Sequence, residues 1–187
     1  MKVFITNIEA LIKRQDIIAY LKENLCARDQ KRLGQMTSQK RIAEFLAGRW
    51  LMKQCFLGAY DVLPSGKIVS KKANLSLAHS GSYAVLVISS EKVGIDIEKM
   101  VANRNFEKIA LKKGFAASKN ADEFYRQWTA FEADFKCDAP KQTLFHTFRV
   151  YQDYMICLTA LKAESIELVE VSVPLDEGPK DTDSGNI

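Results

Sequence analysis

The sequence predicts an α+β protein with two halves of similar size. Strand-like and helix-like runs follow one another along 187 residues in the order strands and helices, strands and helices, then strands. Apolar residues make up 47% of the chain and charged residues 27%, as in ordinary globular proteins. A chain of this length buries a substantial core, either as one large domain or as two small ones.

The first half is predicted to contain a strand over 2–8, a helix over 9–25 and a longer helix from about Ser38 to Ala59. Apolar residues at helical spacing indicate both helices, with Ser38 as the N-cap of the longer one and Gly58 near its end. The residues expected on the core face of the longer helix are Ile42, Phe45, Leu46, Trp50 and Phe56.

After a turn at 64–66, the second half is predicted to be rich in strands. The elements expected there are strands at 75–78, 83–88 and 93–98, helices at about 104–113 and 121–137, and strands at about 143–151, 154–161 and 165–173. Residues 175–187 contain almost no apolar side chain and are expected to form a disordered tail.

The net charge of +4 suits an anionic ligand or an acidic partner and is too weak to indicate a nucleic-acid binder. The four cysteines are widely spaced and lack a Cys-x-x-Cys pair, which argues against a zinc site or a disulfide framework. No apolar run reaches membrane-spanning length, and the N-terminus lacks the apolar core of a signal peptide. We therefore expect a cytoplasmic protein with no membrane partner.

Residues 93–98, Val-Gly-Ile-Asp-Ile-Glu, alternate apolar and acidic side chains. Because residues two apart in a strand point to the same side, Asp96 and Glu98 share a face while Ile95 and Ile97 point to the core. Adjacent carboxylates repel unless protons or a cation lie between them. Such hard oxygen ligands suit Mg²⁺. The alternative is a half-exposed strand with two solvent-facing acids, which the strand alone favours.

The predicted helix 121–137 carries an aromatic stripe, which is typical of a core-facing helix. The stripe consists of Phe124, Trp128, Phe131 and Phe135. Glu132 and Lys136 lie four residues apart along its flank. They are either an ordinary surface ion pair or a carboxylate and an ammonium presented together at a site.

His79 ends the predicted strand before a turn at 80–82, where it faces a cleft and can hydrogen-bond a phosphate or shuttle a proton. His146, inside another predicted strand, is assigned a structural role. Basic residues also cluster in two stretches, which form either solvated faces or a phosphate-binding rim. The clusters are Lys31, Arg32, Lys40, Arg41 and Arg49, and Lys67, Lys71 and Lys72.

Taken in order, five motifs of the chain resemble those of the 4′-phosphopantetheinyl transferases, in the type that joins both halves in one chain. The resemblance covers roughly Arg28 to Val173. The motifs are Lys-Arg-Ile-Ala-Glu-Phe-Leu-Ala-Gly-Arg at 40–49, Gly-Lys at 66–67, Ser-Leu-Ala-His-Ser at 76–80, Gly-Ile-Asp-Ile-Glu at 94–98, and Phe-Tyr-Arg-Gln-Trp-Thr at 124–129 with Glu132, Ala133 and Lys136. Each motif alone is only modest evidence for the family, whereas the five motifs together, in the order found in the family, are specific evidence.

The resemblance implies two similar α/β halves related by a pseudo-twofold axis, at 1–74 and 75–174, with coenzyme A in the cleft between them. It implies Mg²⁺-dependent transfer of the phosphopantetheine arm of coenzyme A to a serine of an apo carrier protein, with release of 3′,5′-ADP. The partner would be an acidic acyl or peptidyl carrier protein, and a monomer is the expected state.

The resemblance also assigns site residues. The metal-binding carboxylates would be Asp96, Glu98 and Glu132. The residues that contact coenzyme A would be Lys67, His79, Lys136 and one of Arg41 and Arg49, the arginine standing at the 3′-phosphate. Glu132, or a water on the metal, would take the proton of the carrier serine, and Lys136 and His79 complete the catalytic set.

The chain departs from the family at several positions. Phe131 stands where the family has lysine, Ile68 where it has proline and Ala78 where it has serine, and 137–142 replace a glycine-rich segment. Because the three carboxylates are kept, we expect an active enzyme. The alternative is a non-catalytic module that binds coenzyme A or a carrier protein. A different metal-dependent phosphoryl-transfer enzyme, such as a phosphatase or nuclease, would need more converging acids or histidines.

Overall fold

The computed structural model describes residues 1–102, 105–116, 118, 120–139, 143–162 and 165–174, so the predicted tail at 175–187 lies outside the described residues. The described residues form a mixture of helices and strands, which confirms the α+β class. In chain order the elements are β1 (Lys2–Asn7), α1 (Ile8–Lys13), α2 (Gln15–Glu23), α3 (Ala27–Gly34), α4 (Gln39–Cys55), β2 (Asp61–Val62), β3 (Ile68–Val69), β4 (Asn74–Ser80), β5 (Tyr83–Ser89), β6 (Val93–Lys99), α5 (Phe106–Lys113), α6 (Ala121–Cys137), β7 (Leu144–Val150), β8 (Tyr154–Ala160) and β9 (Glu167–Glu170).

The helices of the first half differ from the predicted ones at their ends. The helix predicted over 9–25 is interrupted at Arg14, whose φ of −93° and ψ of 84° are not helical, so that α1 and α2 are separate. The long helix starts as predicted, because the Ser38 hydroxyl accepts the Arg41 N–H at 3.4 Å. It ends at Cys55 rather than Ala59, because the next residue is extended. The short helix α3 was not predicted.

Two sheets form the framework. The first has the strand order β4-β5-β1-β9, with β5 antiparallel to both neighbours and β9 parallel to β1. The second is antiparallel, in the order β6-β8-β7. The predicted boundary at residue 74 falls at the start of β4, so the first sheet combines strands from both sides of it.

Serine hydroxyls join the two sheets along β4 and β6. The Ile95 N–H donates to Ser76 Oγ at 3.0 Å, and the Lys99 N–H donates to Ser80 Oγ at 3.0 Å. Both contacts join residues 19 positions apart, so β4 and β6 run side by side in the same direction. This seam places His79, on β4, beside the acidic strand β6.

Buried clusters separate the layers of the molecule. The first lies between α4 and one face of the first sheet and includes Leu46 and Leu86. The second lies between the two sheets and includes Val85 and Ile95. The third lies between α6 and the outer face of the second sheet and includes Met155. The layers therefore follow the order helices, sheet, sheet, helices. None of the helices in the described ranges combines the length and apolar composition needed to cross a bilayer.

The aromatic stripe of α6 is buried only at its start. Phe124 is fully buried, whereas Phe131 is 43% and Phe135 77% exposed, so the prediction that the whole stripe is core is wrong. A row at i, i+4 spacing packs against the second sheet instead; it consists of Tyr125, Thr129, Ala133 and Cys137. Gly94 of β6 permits this close approach, because a methyl group there would overlap the Ala133 carbonyl oxygen.

Candidate active site

Strand β6 presents its acidic face to helix α6. Ile95 and Ile97 are buried between the two sheets, as predicted. The opposite face of the strand begins at Gly94, which touches the backbone of α6, and continues with Asp96 and Glu98. Both carboxylates contact side chains of α6, so the strand and the helix together build the acidic site.

Asp96 is buried, with 5% of its surface exposed. Lys136 Nζ donates to Asp96 Oδ1 at 2.6 Å and to the Ile95 carbonyl oxygen at 3.3 Å. Asp96 Oδ2 is buried and has no hydrogen-bond partner among the described residues. Burial raises the pKa of Asp96 to about 6; the Lys136 ammonium opposes this shift, and the charges of Glu98 and Glu132 add to it.

The other two carboxylates differ in how firmly they are held. Glu98 is oriented by two donors, because Ser80 Oγ donates to its Oε2 at 2.9 Å and Trp128 Nε1 donates to its Oε1 at 3.2 Å. Glu132 is half-buried, one helical turn before Lys136, and no described residue forms a hydrogen bond or ion pair with it. Glu132 lies on α6 between Trp128, which contacts Glu98, and Lys136, which contacts Asp96.

The carboxylates are not arranged as a finished metal site. Among the described residues, no group of three or more Asp, Glu, His or Cys side chains is placed to hold a metal ion. The positive charge beside Asp96 comes from Lys136 instead. The donors nevertheless fit Mg²⁺ in chemical type, because they are carboxylate oxygens and because Asp96 Oδ2 is buried without a donor.

A cleft with a volume of about 790 Å³ adjoins this acidic site. It lies between α4, the turn at 64–66, β4 and the end of α6, and its size is in the range of small-molecule sites, roughly 300–1,000 Å³. The cationic and histidine side chains that line it include Arg32, Arg41, Lys67, His79 and Lys136. The exposed ring of Phe135 also lines the cleft.

His79 faces the cleft, as predicted, and pairs with Glu44 of α4. The distance between His79 Nδ1 and Glu44 Oε2 is 3.5 Å. Burial lowers the pKa of His79, the Glu44 carboxylate partly opposes that shift, and the Lys136 ammonium reinforces it. The imidazole is therefore mostly neutral near pH 7, and it can accept a proton or a hydrogen bond. His146 lies in β7 and lines neither the cleft nor the acidic site.

The two candidate arginines have different environments. Arg49 is 5% exposed and forms a bidentate ion pair with Asp29, with Nε to Oδ2 at 2.6 Å and Nη2 to Oδ1 at 2.7 Å. Its guanidinium also lies 4.5 Å from the centre of the Phe45 ring. Both arginines line the cleft, but of the two only Arg41, on the first turn of α4, is exposed. The geometry therefore favours Arg41 over Arg49 as a ligand-binding residue.

Arg32 is a cleft residue that the sequence placed only in a basic cluster. Its guanidinium lies over Gly66, where a side chain on that residue would overlap it. Gly66 also has a φ of +92°, which disfavours any residue with a side chain. Arg32 Nη1 is buried without a hydrogen-bond partner. The neighbouring Lys67 Nζ lies 3.4 Å from Asp138 Oδ2, which connects this turn to the end of α6.

Comparison with known proteins adds no family to this description. No protein-family model matches the sequence, and no curated protein matches it.

Proposed function

We propose that this protein is a Mg²⁺-dependent 4′-phosphopantetheinyl transferase, which moves the phosphopantetheine arm of coenzyme A to a serine of an apo carrier protein. The observation that carries the proposal is that Asp96 and Glu98 both contact α6, the helix that carries Glu132, beside a cleft lined by cationic side chains. Four of the five motifs that resemble this family contribute residues to the lining of this cleft, from α4, the turn before β3, β4 and α6. The fifth motif, on β6, contacts α6 beside the cleft.

The two-halves arrangement forms part of the proposal. Each of the two larger sheets packs against one helix of 17 residues, α4 for the first and α6 for the second. In the proposed arrangement these are equivalent helices of two halves related by a pseudo-twofold axis. Each half would be built on one sheet, so β4 and β5, which begin at or after residue 74, would complete the first half. The halves would then meet along β4 and β6, and coenzyme A would bind in the cleft beside that seam.

The cleft supplies the groups that an anionic cofactor needs. Arg41 would bind the 3′-phosphate of coenzyme A, since it is exposed in the cleft while Arg49 is held by Asp29. Lys67 and His79 line the same wall and would contact the other phosphates. Charge-assisted hydrogen bonds of this kind are stronger than neutral ones, so they would contribute most of the orientation of the substrate.

Asp96, Glu98 and Glu132 would hold Mg²⁺, which when bound offsets negative charge on the pyrophosphate and on the departing 3′,5′-ADP. Ser80 and Trp128 orient Glu98 for this role. The tight packing of α6 on Gly94 holds the helix close to β6, and Glu132 with it. Hydrogen bonds such as those from Ser80 and Trp128 fix the orientation of a side chain that binds a metal.

Glu132 is also our candidate base. The serine hydroxyl of the carrier is a weak nucleophile and must lose its proton as its oxygen attacks the β-phosphorus. Asp96 and Glu98 are engaged by Lys136, Ser80 and Trp128, whereas no described residue binds Glu132. A Glu132 carboxylate oxygen would accept the proton while the bond from the β-phosphorus to the bridging oxygen breaks.

We propose that the enzyme works as a cytoplasmic monomer on an acidic acyl or peptidyl carrier protein. All four cysteines are free thiols, which suits a reducing compartment. The net charge of +4 would steer an acidic partner toward the protein. The proposal includes no nucleic-acid or membrane partner.

Intact-mass spectrometry of an apo carrier protein tests the function. The carrier is incubated with this protein, coenzyme A and Mg²⁺, with an EDTA control and with a carrier whose acceptor serine is replaced by alanine. We expect a gain of one phosphopantetheine only in the complete reaction. A gain that persists in EDTA would contradict the metal requirement.

A non-catalytic module that binds coenzyme A or a carrier protein is the second candidate. The observation that favours it is the ion pair between Lys136 and Asp96, in a region where the described side chains form no metal-binding group. Failure to modify several unrelated carriers, by a protein that binds coenzyme A in isothermal titration calorimetry, would support the module and overturn the transferase.

A further inference from the structure

We propose that Lys136 is an internal cation that occupies Asp96 until a divalent cation binds there, and that Lys136 then turns into the cleft and pairs with the anionic substrate. The proposal rests on the transferase function and adds a mechanism by which binding of the metal and binding of coenzyme A depend on each other. In this mechanism Lys136 has two alternative partners, which are Asp96 and the phosphates of coenzyme A.

The first partner is visible in the structure. Lys136 Nζ lies 2.6 Å from Asp96 Oδ1 and 3.3 Å from the Ile95 carbonyl oxygen, so it makes two contacts with β6. The packing of Ala133 and Cys137 against Gly94 brings the helix backbone on both sides of Lys136 close to the strand. The ammonium is thus placed beside a carboxylate that is 5% exposed.

The ammonium satisfies this carboxylate only in part. Asp96 Oδ2 remains buried and no described residue forms a hydrogen bond with it, although Oδ1 is paired. A buried carboxylate with an orphaned oxygen is costly, because the oxygen has lost its contacts with water. A divalent cation prefers such hard oxygen ligands and carries twice the charge of the ammonium, so it would stabilise the ionised carboxylate better.

A divalent cation that binds Asp96 would weaken the attraction between this carboxylate and Lys136. Two positive charges a few ångströms apart repel strongly where the surroundings are shielded from water. Lys136 can leave because its stem is flexible and its side chain is 30% exposed. It already lines the cleft, where the phosphates of the substrate would provide a second anionic partner.

This exchange has a measurable consequence. Without an anionic substrate in the cleft, a metal ion at Asp96 would displace Lys136 with no phosphate for the ammonium to pair with. With coenzyme A bound, the displaced ammonium pairs with phosphate. Each ligand therefore raises the affinity for the other by the same factor, as linkage requires.

The affinity for Mn²⁺ tests the exchange without any turnover. Mn²⁺ serves as the probe, and its binding to the full chain is measured by electron paramagnetic resonance in the absence of coenzyme A. Lys136→Met removes the charge and keeps most of the stem. We expect it to bind Mn²⁺ at least about tenfold more tightly than the wild type, because no ion pair with Asp96 has to be broken.

Lys92→Met is the matched control. It removes the same charge from a residue that donates to the Asp138 carbonyl oxygen and has no contact with Asp96. Its affinity for Mn²⁺ should equal that of the wild type. Equal or weaker binding by Lys136→Met than by the wild type would overturn the exchange and leave the proposed function in place. Absence of Mn²⁺ binding in the wild type, even with coenzyme A, would overturn both.

A measurement on the wild type covers the case in which Lys136→Met fails to fold. In protein labelled with ¹⁵N-lysine, an ammonium held by a buried carboxylate exchanges its protons slowly enough to be observed by NMR. We expect Mg²⁺ and coenzyme A together to shift this signal and abolish its protection. An unchanged signal at saturating concentrations of both ligands would overturn the proposal.

Discussion

Two buried carboxylates of this protein each form an ion pair with a basic residue on a long helix, and they differ in how completely they are satisfied. Asp29 binds Arg49 through both oxygens, at 2.6 and 2.7 Å, and neither side chain is more than 5% exposed. Asp96 binds Lys136 through one oxygen, and its other oxygen has no partner in the described part of the chain. We call an ion pair closed when both carboxylate oxygens are paired, and open when one is not. The closed pair of Asp29 stabilises the fold, whereas the open pair of Asp96 leaves one oxygen available to bind a ligand.

The two long helices also differ, in how much of their length is buried. In α4 every residue from Glu44 to Met52 is buried, so this helix is a core element along most of its length. In α6 the aromatic stripe emerges from the core at Phe131 and Phe135. Helix α6 thus serves as a wall of the cleft as well as a cover for the second sheet, and its polar residues remain accessible to ligands.

Substitution of Asp96 should have the largest effect on activity. Asp96→Ala is expected to reduce carrier modification at least about a thousandfold, which corresponds to roughly 4 kcal/mol of transition-state stabilisation. The fold should persist, because the substitution removes a buried charge that is only partly compensated. Circular dichroism and thermal melting check the fold. Asp134→Ala, an exposed change on α6, is the control. Turnover close to wild type in Asp96→Ala would rule out the metal assignment.

Substitution of Asp29 should have the largest effect on stability. Asp29→Ala leaves the Arg49 guanidinium buried without a counter-charge, and we expect the free energy of unfolding to fall by about 3–5 kcal/mol. Urea denaturation measures this loss. The control is Asp61→Ala, which removes an exposed ion pair with Arg28 and should cost about 1 kcal/mol or less. Similar losses in both variants would contradict a structural role for the buried pair.

The raised pKa of Asp96 should produce a pH dependence of stability. Burial raises this pKa from 3.8 to about 6, so the folded protein holds more protons than the unfolded chain between these values. The contribution of Asp96 to stability is therefore fully present below pH 4 and is lost as the pH rises to about 6. The loss is at most about 3 kcal/mol. Asp96→Asn should remove this part of the pH profile in urea titrations. Identical profiles for both proteins would show that Asp96 titrates normally.

The smallest effect is expected at Phe131. Phe131→Lys removes an edge contact with Phe115 at 5.4 Å and places a second ammonium near Lys113, whose Nζ lies 5.4 Å from the Phe131 ring centre. We expect a loss of about 1 kcal/mol in unfolding free energy. The position is already 43% exposed, so there is no large cost of burying a charge. Carrier modification should be unchanged or faster, because the new cation lies near the acidic site and its anionic substrate.

Leu111→Lys is the control, because Leu111 is 80% exposed, does not line the cleft and should cost still less stability. Melting temperatures and rates of carrier modification are compared across the two variants and the wild type. A sharp loss of activity in Phe131→Lys without loss of fold would show that the aromatic ring itself belongs to the site.

Elements with strong local patterns could be predicted from the sequence. The alternation in β6 and the span of α6 were both correct, because side-chain periodicity is a property of neighbouring residues. Helix α3 escaped prediction because its buried residue is Asp29 rather than an apolar side chain. The break at Arg14 also lacks a glycine or proline signal, and the guanidinium there binds Asp16 at 2.5–2.9 Å.

For the candidate site, the sequence predicted which residues lie together on one element, but not the contacts between elements. Spacing alone put Asp96 with Glu98 on one strand face and Glu132 with Lys136 on one helix flank. It could not show that Lys136 binds Asp96, since these residues lie 40 positions apart. It also could not choose between Arg41 and Arg49, because the choice depends on the partner of Arg49.

By itself, the sequence determined the α+β class, the main strands and helices, and the chemical types that line the proposed site. These features depend on periodicity and side-chain chemistry within short segments. Only the tertiary structure decided which charges are closed pairs and which remain open, where the aromatic stripe leaves the core, and that Arg32 lies over Gly66. Those outcomes depend on burial and on contacts between distant segments, and burial sets the free energy of a charge.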